Sequence, residues 1–139
     1  MMSVLNKFMS RGFVPPQVHG VLDYPLAAIL IAGPLVLDFD YTPATVIALV
    51  FGGGAAVLAV ATAWPTGIVK IIPPLDHGYA DTLVTAAMIV LPFAVGFTHH
   101  TAALVFYLAV GGAGLLATLA TRFESPMPSV QPMMAHEAA

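Results

Sequence analysis

Four apolar runs dominate this chain, and each is about as long as a bilayer is thick. They cover residues 17–39, 45–64, 76–97 and 102–123. At 1.5 Å per residue a helix of roughly 20 to 23 residues spans about 30 Å of hydrocarbon. In lipid, separate segments of this kind satisfy their backbone groups only as helices. Composition agrees: of 139 residues, 8% are charged and 59% hydrophobic, with a mean hydropathy of +0.92. Soluble domains carry roughly 25% charged residues, and so small a globule cannot hide this much apolar surface. A soluble enzyme domain and a disordered chain are thereby excluded. A net charge of −3 offers nucleic acid no basic footprint. The absence of cysteine removes disulfides and thiolate metal ligands. The expected fold is all-α, a bundle of four transmembrane helices in a lipid bilayer.

The connections fit two hairpins. Residues 38–43 and 98–101 are short links, whereas 65–75 is longer and carries Pro65, Gly67, Pro73 and Pro74, which interrupt helices. All four basic residues, Lys7, Arg11, Lys70 and Arg122, fall on one side of a four-span topology. The positive-inside rule then places both termini in the cytoplasm. Segment 17–39 is too long for a signal-peptide core and contains Asp23, Pro25 and Pro34, so it is expected to be a retained span. The boundaries drawn are a cytoplasmic or interfacial segment 1–14, a first hairpin 15–64, a linker 65–72, a second hairpin 73–123 and a mobile cytoplasmic tail 124–139. Trp64, Tyr41 and Phe123 stand at span ends, where aromatic interface anchors are expected.

A shift of 58 residues lays the chain on itself without a gap. Pro15 and Pro16 fall on Pro73 and Pro74, His19 and Gly20 on His77 and Gly78, Asp23 on Asp81, Pro34 on Pro92, and Phe39 on Phe97. Gly53, Gly54 and Ala55 fall on Gly111, Gly112 and Ala113. Apolar composition alone would not place rare His, Asp and Pro residues at matching offsets. The bundle is therefore expected to consist of two tandem, parallel hairpin repeats about a pseudo-twofold axis along the membrane normal.

The frame PPxxHGxxD, followed after ten residues by a proline and then a glycine-rich second helix, resembles the SPW repeat family of small bacterial multi-pass membrane proteins. Here the naming tripeptide reads Gly33-Pro34-Leu35 and Leu91-Pro92-Phe93, without its Ser and Trp. The resemblance implies the fold and a bacterial inner-membrane location, and no catalytic activity.

His19 and Asp23 are four residues apart, and Pro34 follows eleven residues later. On a continuous helix these share one stripe, drifting only about 40° and 20°. His77, Asp81 and Pro92 repeat it. An ionised Asp facing lipid costs about 2.5–3.5 kcal/mol at the bilayer centre, so both acids are expected to face inward with partners. An alternative for Asp23 is the N-cap of the true span, because Pro25 follows it and proline suits a first helical turn. The simplest role for the two pairs is hydrogen bonding within and between the hairpins. The alternatives are a proton or cation site, a transition-metal site, and axial ligation of a haem b by the two histidines. No cofactor is expected on the simplest reading.

Pro34 and Pro92 are expected to kink their helices. The glycine runs beginning at Gly52 and Gly111, continued by Ala55, Ala59, Ala113 and Ala117, form small-residue stripes suited to close helix packing, either within the bundle or across an oligomer. His99 and His100 read as a neutral, solvated pair in an outer loop. The functional expectation is a non-enzymatic structural or accessory membrane protein, packing with itself or with a larger complex. The alternative is a small proton or cation conductor, or a metal- or haem-binding protein, built on His19, Asp23, His77 and Asp81.

Overall fold

The computed structural model describes residues 9–123 together with Val4 and Lys7. The tail 124–139, expected to be mobile, lies outside the described residues, as do residues 1–3, 5, 6 and 8 of the expected interfacial segment. Four helices follow in order: α1 Pro16–Val36, α2 Thr42–Ala61, α3 Pro74–Val95 and α4 Thr101–Ala120. All four are long and apolar enough to cross a membrane. The fold is an all-α four-helix bundle. α1 pairs with α2 and α3 with α4 as two hairpins.

The local sequence explains the helix limits. α1, α2 and α3 each carry proline at the first or second helical position, where no amide donor is needed. α1 and α3 stop three residues after Pro34 and Pro92 or sooner, and each is followed by a residue with positive φ: Asp38 at 48° and Gly96 at 85°. The amides of Phe39 and Phe97 then turn back to the carbonyls of Pro34 and Pro92. α1 runs unbroken through Pro25, and its N-cap is Pro15. Asp23 therefore does not cap the span, since it sits two turns inside the helix with its carboxylate turned to the bundle.

At the end opposite the hairpin loops, here called the base, the two repeats cross-link through their backbones. Val14, entering repeat one, pairs with Thr121 at the end of repeat two, and Ile72, entering repeat two, pairs with Thr62 at the end of repeat one. Four hydrogen bonds of 2.8–3.0 Å hold these bridges, two for each. The pairing explains why α2 and α4 end at Ala61 and Ala120, short of the expected 64 and 123. The backbone beyond is drawn into contact with the opposite repeat.

The two repeats are not related by a single gapless shift. α1 and α3 begin 58 residues apart, but α2 and α4 are 59 apart at both ends. The packing obeys the second offset. A methyl on Gly52 would collide with Leu30 and Ile31, and a methyl on Gly111 with Met88 and Ile89. Gly53, Gly54 and Gly112 meet nothing within 4 Å, and Ala113 is exposed. Of the two expected glycine runs, Gly52, Gly111 and Gly114 thus take the packing role within this chain, whereas Gly53, Gly54 and Gly112 do not. Ala59 is buried, while Ala55 and Ala117 are half-buried. The loop-end core is formed by Leu30, Ala44, Met88, Phe97, Phe106 and Tyr107, with the Tyr107 hydroxyl donating to the Ala44 carbonyl at 2.7 Å. Pro34 and Pro92 are both fully buried.

Candidate functional site

His19, Asp23, His77 and Asp81 meet at the base, one pair from α1 and one from α3. His19 Nε2 lies 2.8 Å from Asp81 Oδ2 and 3.3 Å from Asp23 Oδ1. His77 Nε2 lies 2.9 Å from Asp81 Oδ2 and 3.2 Å from Asp23 Oδ2. The arrangement is a crossed square, in which each imidazole touches the carboxylate of its own helix and that of the other repeat. His19, Asp23 and His77 are at least 96% buried, and the Asp81 side chain is 16% exposed. The four-residue spacing within each helix puts His and Asp one turn apart on the same face. The pseudo-twofold then turns the two faces toward each other.

The outer nitrogen of each ring is fixed by a threonine. His77 Nδ1 lies 2.7 Å from Thr62 Oγ1, and His19 Nδ1 lies 2.9 Å from Thr121 Oγ1. Both hydroxyls already donate backward, Thr62 to Leu58 O at 2.6 Å and Thr121 to Ala117 O at 2.7 Å. A hydroxyl has one proton, so each Thr oxygen must accept from an Nδ1–H. Both Nε2 atoms therefore point into the centre, each carrying a lone pair unless a second proton is added. His77 Nε2 and Asp23 Oδ2 are buried without a hydrogen bond, although they lie 3.2 Å apart.

Aromatic rings close the base. Trp64 sits 4.2 Å from the His77 ring and 5.8 Å from that of His19, and Phe123 sits 5.1 Å from His19. Met9 completes the lid, with Leu75 and Tyr79 against it. Gly20 and Gly78 recur because a side chain there would strike the lid: a methyl on Gly20 would lie 2.9 Å from the Trp64 ring, and one on Gly78 would lie 2.8 Å from Phe123. Trp64 and Phe123 are thus buried at 3% and 1%, not interface anchors. Tyr41 is also turned inward, stacked on His100 at 4.8 Å. His100 is not simply solvated, since its Nδ1 lies 2.8 Å from Asp40 Oδ1.

Two lateral grooves open between the hairpins. One, of about 330 Å³, runs along α1 and α4 from His19, Asp23 and Asp81 past Ile29 and Gly114. The other, of about 350 Å³, lies between α2 and α3 and reaches Asp81 beside Gly54 and Leu58. The second is apolar apart from Asp81, and the first is apolar apart from the centre and the threonines Thr85 and Thr118.

The sequence brought forward the four central residues. It did not mark Thr62, Trp64, Phe123 or Met9 as parts of the site. The available signal was Thr-x-aromatic ending each repeat, Thr62 to Trp64 and Thr121 to Phe123, which aligns only at the offset of 59. A family model described as SPW repeat domain matches residues 17–121. No curated protein and no solved structure matches the chain.

Proposed function

The chain belongs to the SPW repeat family, and on that footing we propose that it is a structural or accessory protein of the bacterial inner membrane, without catalytic chemistry of its own. Two hairpins are latched at the base by His19, Asp23, His77 and Asp81. Their flanks face lipid and a neighbouring protein, either a second copy or a larger complex. The observation that carries this reading is the mutual pairing in the centre. Among the described residues, every imidazole and carboxylate set beyond the third residue of a span belongs to it. Lys7, Arg11, Lys70 and Arg122 lie at the same end of the chain's path as the latch, so the positive-inside rule orients the base, and both termini, toward the cytoplasm. Gly53 and Gly112, with nothing within 4 Å of a methyl added there, permit close approach by a helix of another protein in lipid.

The packing weighs against a transbilayer conductor. Beyond the centre, the interior is filled by Leu30, Met88, Phe97, Phe106 and Tyr107, and the one hydroxyl among them is bound to Ala44. The test is cross-linking in native membranes at ordinary expression, followed by gentle extraction and mass measurement. The expected product is an assembly larger than one chain. A chain recovered only as an unlinked monomer would remove the accessory role.

A further inference from the structure

We propose that the centre binds one divalent first-row transition-metal ion of the zinc class, through Nε2 of His19 and His77 and one oxygen each of Asp23 and Asp81. The proposal rests on the latch reading above and names what fills the latch.

Four observations converge on it. First, the threonine contacts orient both rings with Nδ1–H outward and Nε2 inward. Imidazoles that ligate a metal are held in this way, with the second nitrogen donating to a fixed acceptor. Second, the centre gathers lone pairs from two nitrogens and at least two oxygens. Such a set is stable in a low-dielectric interior only with two added positive charges, either two protons or one dication. In the present geometry His77 Nε2 and Asp23 Oδ2 are buried, 3.2 Å apart and not aligned for a hydrogen bond. An ion coordinated by both would satisfy them together.

Third, the spacing suits a small tetrahedral ion. One atom from each residue can be chosen so that all lie within 4.8 Å of one another, and the four imidazole–carboxylate contacts measure 2.8–3.3 Å. A tetrahedron with metal–ligand bonds of 2.0–2.2 Å has edges of about 3.3–3.6 Å. Binding would draw the widest-set ligand atoms, up to 4.8 Å apart, together by about 1 Å and ease the closest contacts apart by about half an ångström. Fourth, the donor set selects the class. Two imidazoles with two carboxylates suit zinc and its neighbours, whereas magnesium and calcium favour all-oxygen shells and Cu(I) favours sulfur. Asp81, reached from both lateral grooves, provides the entry point.

The same geometry does not fit haem b. A porphyrin ligated by both histidines needs an open slab between their rings. Here the rings are 5.8 Å apart and nearly perpendicular, with Asp23 and Asp81 set against their Nε2 atoms.

The test uses the full chain without an affinity tag, purified in mild detergent and stripped with a chelator. Zn²⁺ is titrated calorimetrically, and Co²⁺ by visible absorption. One saturable ion per chain is expected, with the intense absorption of tetrahedral Co²⁺. Thr62→Val and Thr121→Val should each weaken Zn²⁺ binding by about 10–100-fold, the usual effect of losing an outer partner of a ligand. His77→Gln should weaken it more. His99→Ala combined with His100→Ala should leave it unchanged. A folded, monodisperse wild-type chain with no saturable Zn²⁺ or Co²⁺ site overturns the proposal, whatever becomes of the variants. A site that disappears with His99 and His100 overturns it too. Failure here, with the cross-linked assembly intact, removes the metal and leaves the accessory role. Metal binding by a chain recovered only as a monomer does the reverse.

Discussion

Adjacent glycines in one helix should respond oppositely to the same methyl group. An alanine at Gly111 would put its Cβ 2.9 Å from Met88 Cβ and 3.1 Å from the Thr85 carbonyl oxygen. Carbon atoms in comfortable contact are about 3.5–4.0 Å apart. Neither obstacle is the free end of a flexible side chain, so α4 must retreat from α3 by roughly half an ångström. Overpacking of this kind costs about 1–3 kcal/mol. Replacing glycine in a helix returns about 0.5–1 kcal/mol, leaving a net loss of up to about 2.5 kcal/mol. At Gly112 nothing lies within 4 Å, so only the gain of about 0.5–1 kcal/mol remains. Gly52→Ala and Gly53→Ala should repeat the contrast, since Gly52 faces Leu30 Cβ at 2.9 Å and Gly53 faces open space. Reversible unfolding of the four variants in detergent, followed by circular dichroism, measures these differences. A Gly111→Ala chain as stable as Gly112→Ala would refute the reasoning. So would a Gly53→Ala chain destabilised like Gly111→Ala, because it would restore the gapless offset of 58.

Other outcomes follow from single contacts. Asp38→Gly should stabilise the chain by about 1 kcal/mol in the same unfolding assay, because Asp38 holds φ at 48° where its counterpart is Gly96. Tyr107→Phe removes the buried hydrogen bond to Ala44 and should cost about 0.5–1.5 kcal/mol. Thr62→Val strands the Nδ1–H of His77 in a buried site and should cost about 1–3 kcal/mol, whereas Thr62→Ser should recover most of that loss. Trp64→Ala should open the base, seen as faster hydrogen exchange at the amides of Gly20 and His77, against which the indole is packed.

The fold was legible because its signals are local. Helix number follows from run length, and hairpin pairing from the short links at 38–43 and 98–101. The centre was legible because His and Asp are rare in apolar spans, so His19, Asp23, His77 and Asp81 stand out at matching offsets. The register of the second helices was hidden by their composition. α3 is one residue longer than α1, but glycine and alanine runs produce identities at either offset. Gly53 therefore aligned with Gly111 although Gly52 occupies its place. Trp64 and Phe123 misled for another reason: an aromatic ring at a span end suits the headgroup region as well as it suits a lid. What decides is the backbone pairing of Thr62 with Ile72 and of Thr121 with Val14. The second joins residues far apart in the chain, and neither leaves a periodic trace in the sequence.

The central claim is that the two repeats turn their imidazoles toward each other inside the bundle. Solid-state NMR in lipid can measure it, with labelled histidine in a chain whose His99, His100 and His136 are replaced. The account predicts dipolar contact between the His19 and His77 rings, whose centroids are 5.8 Å apart, and a proton on Nδ1 of each. Rings too distant to couple, or a neutral ring protonated at Nε2 alone, would contradict it.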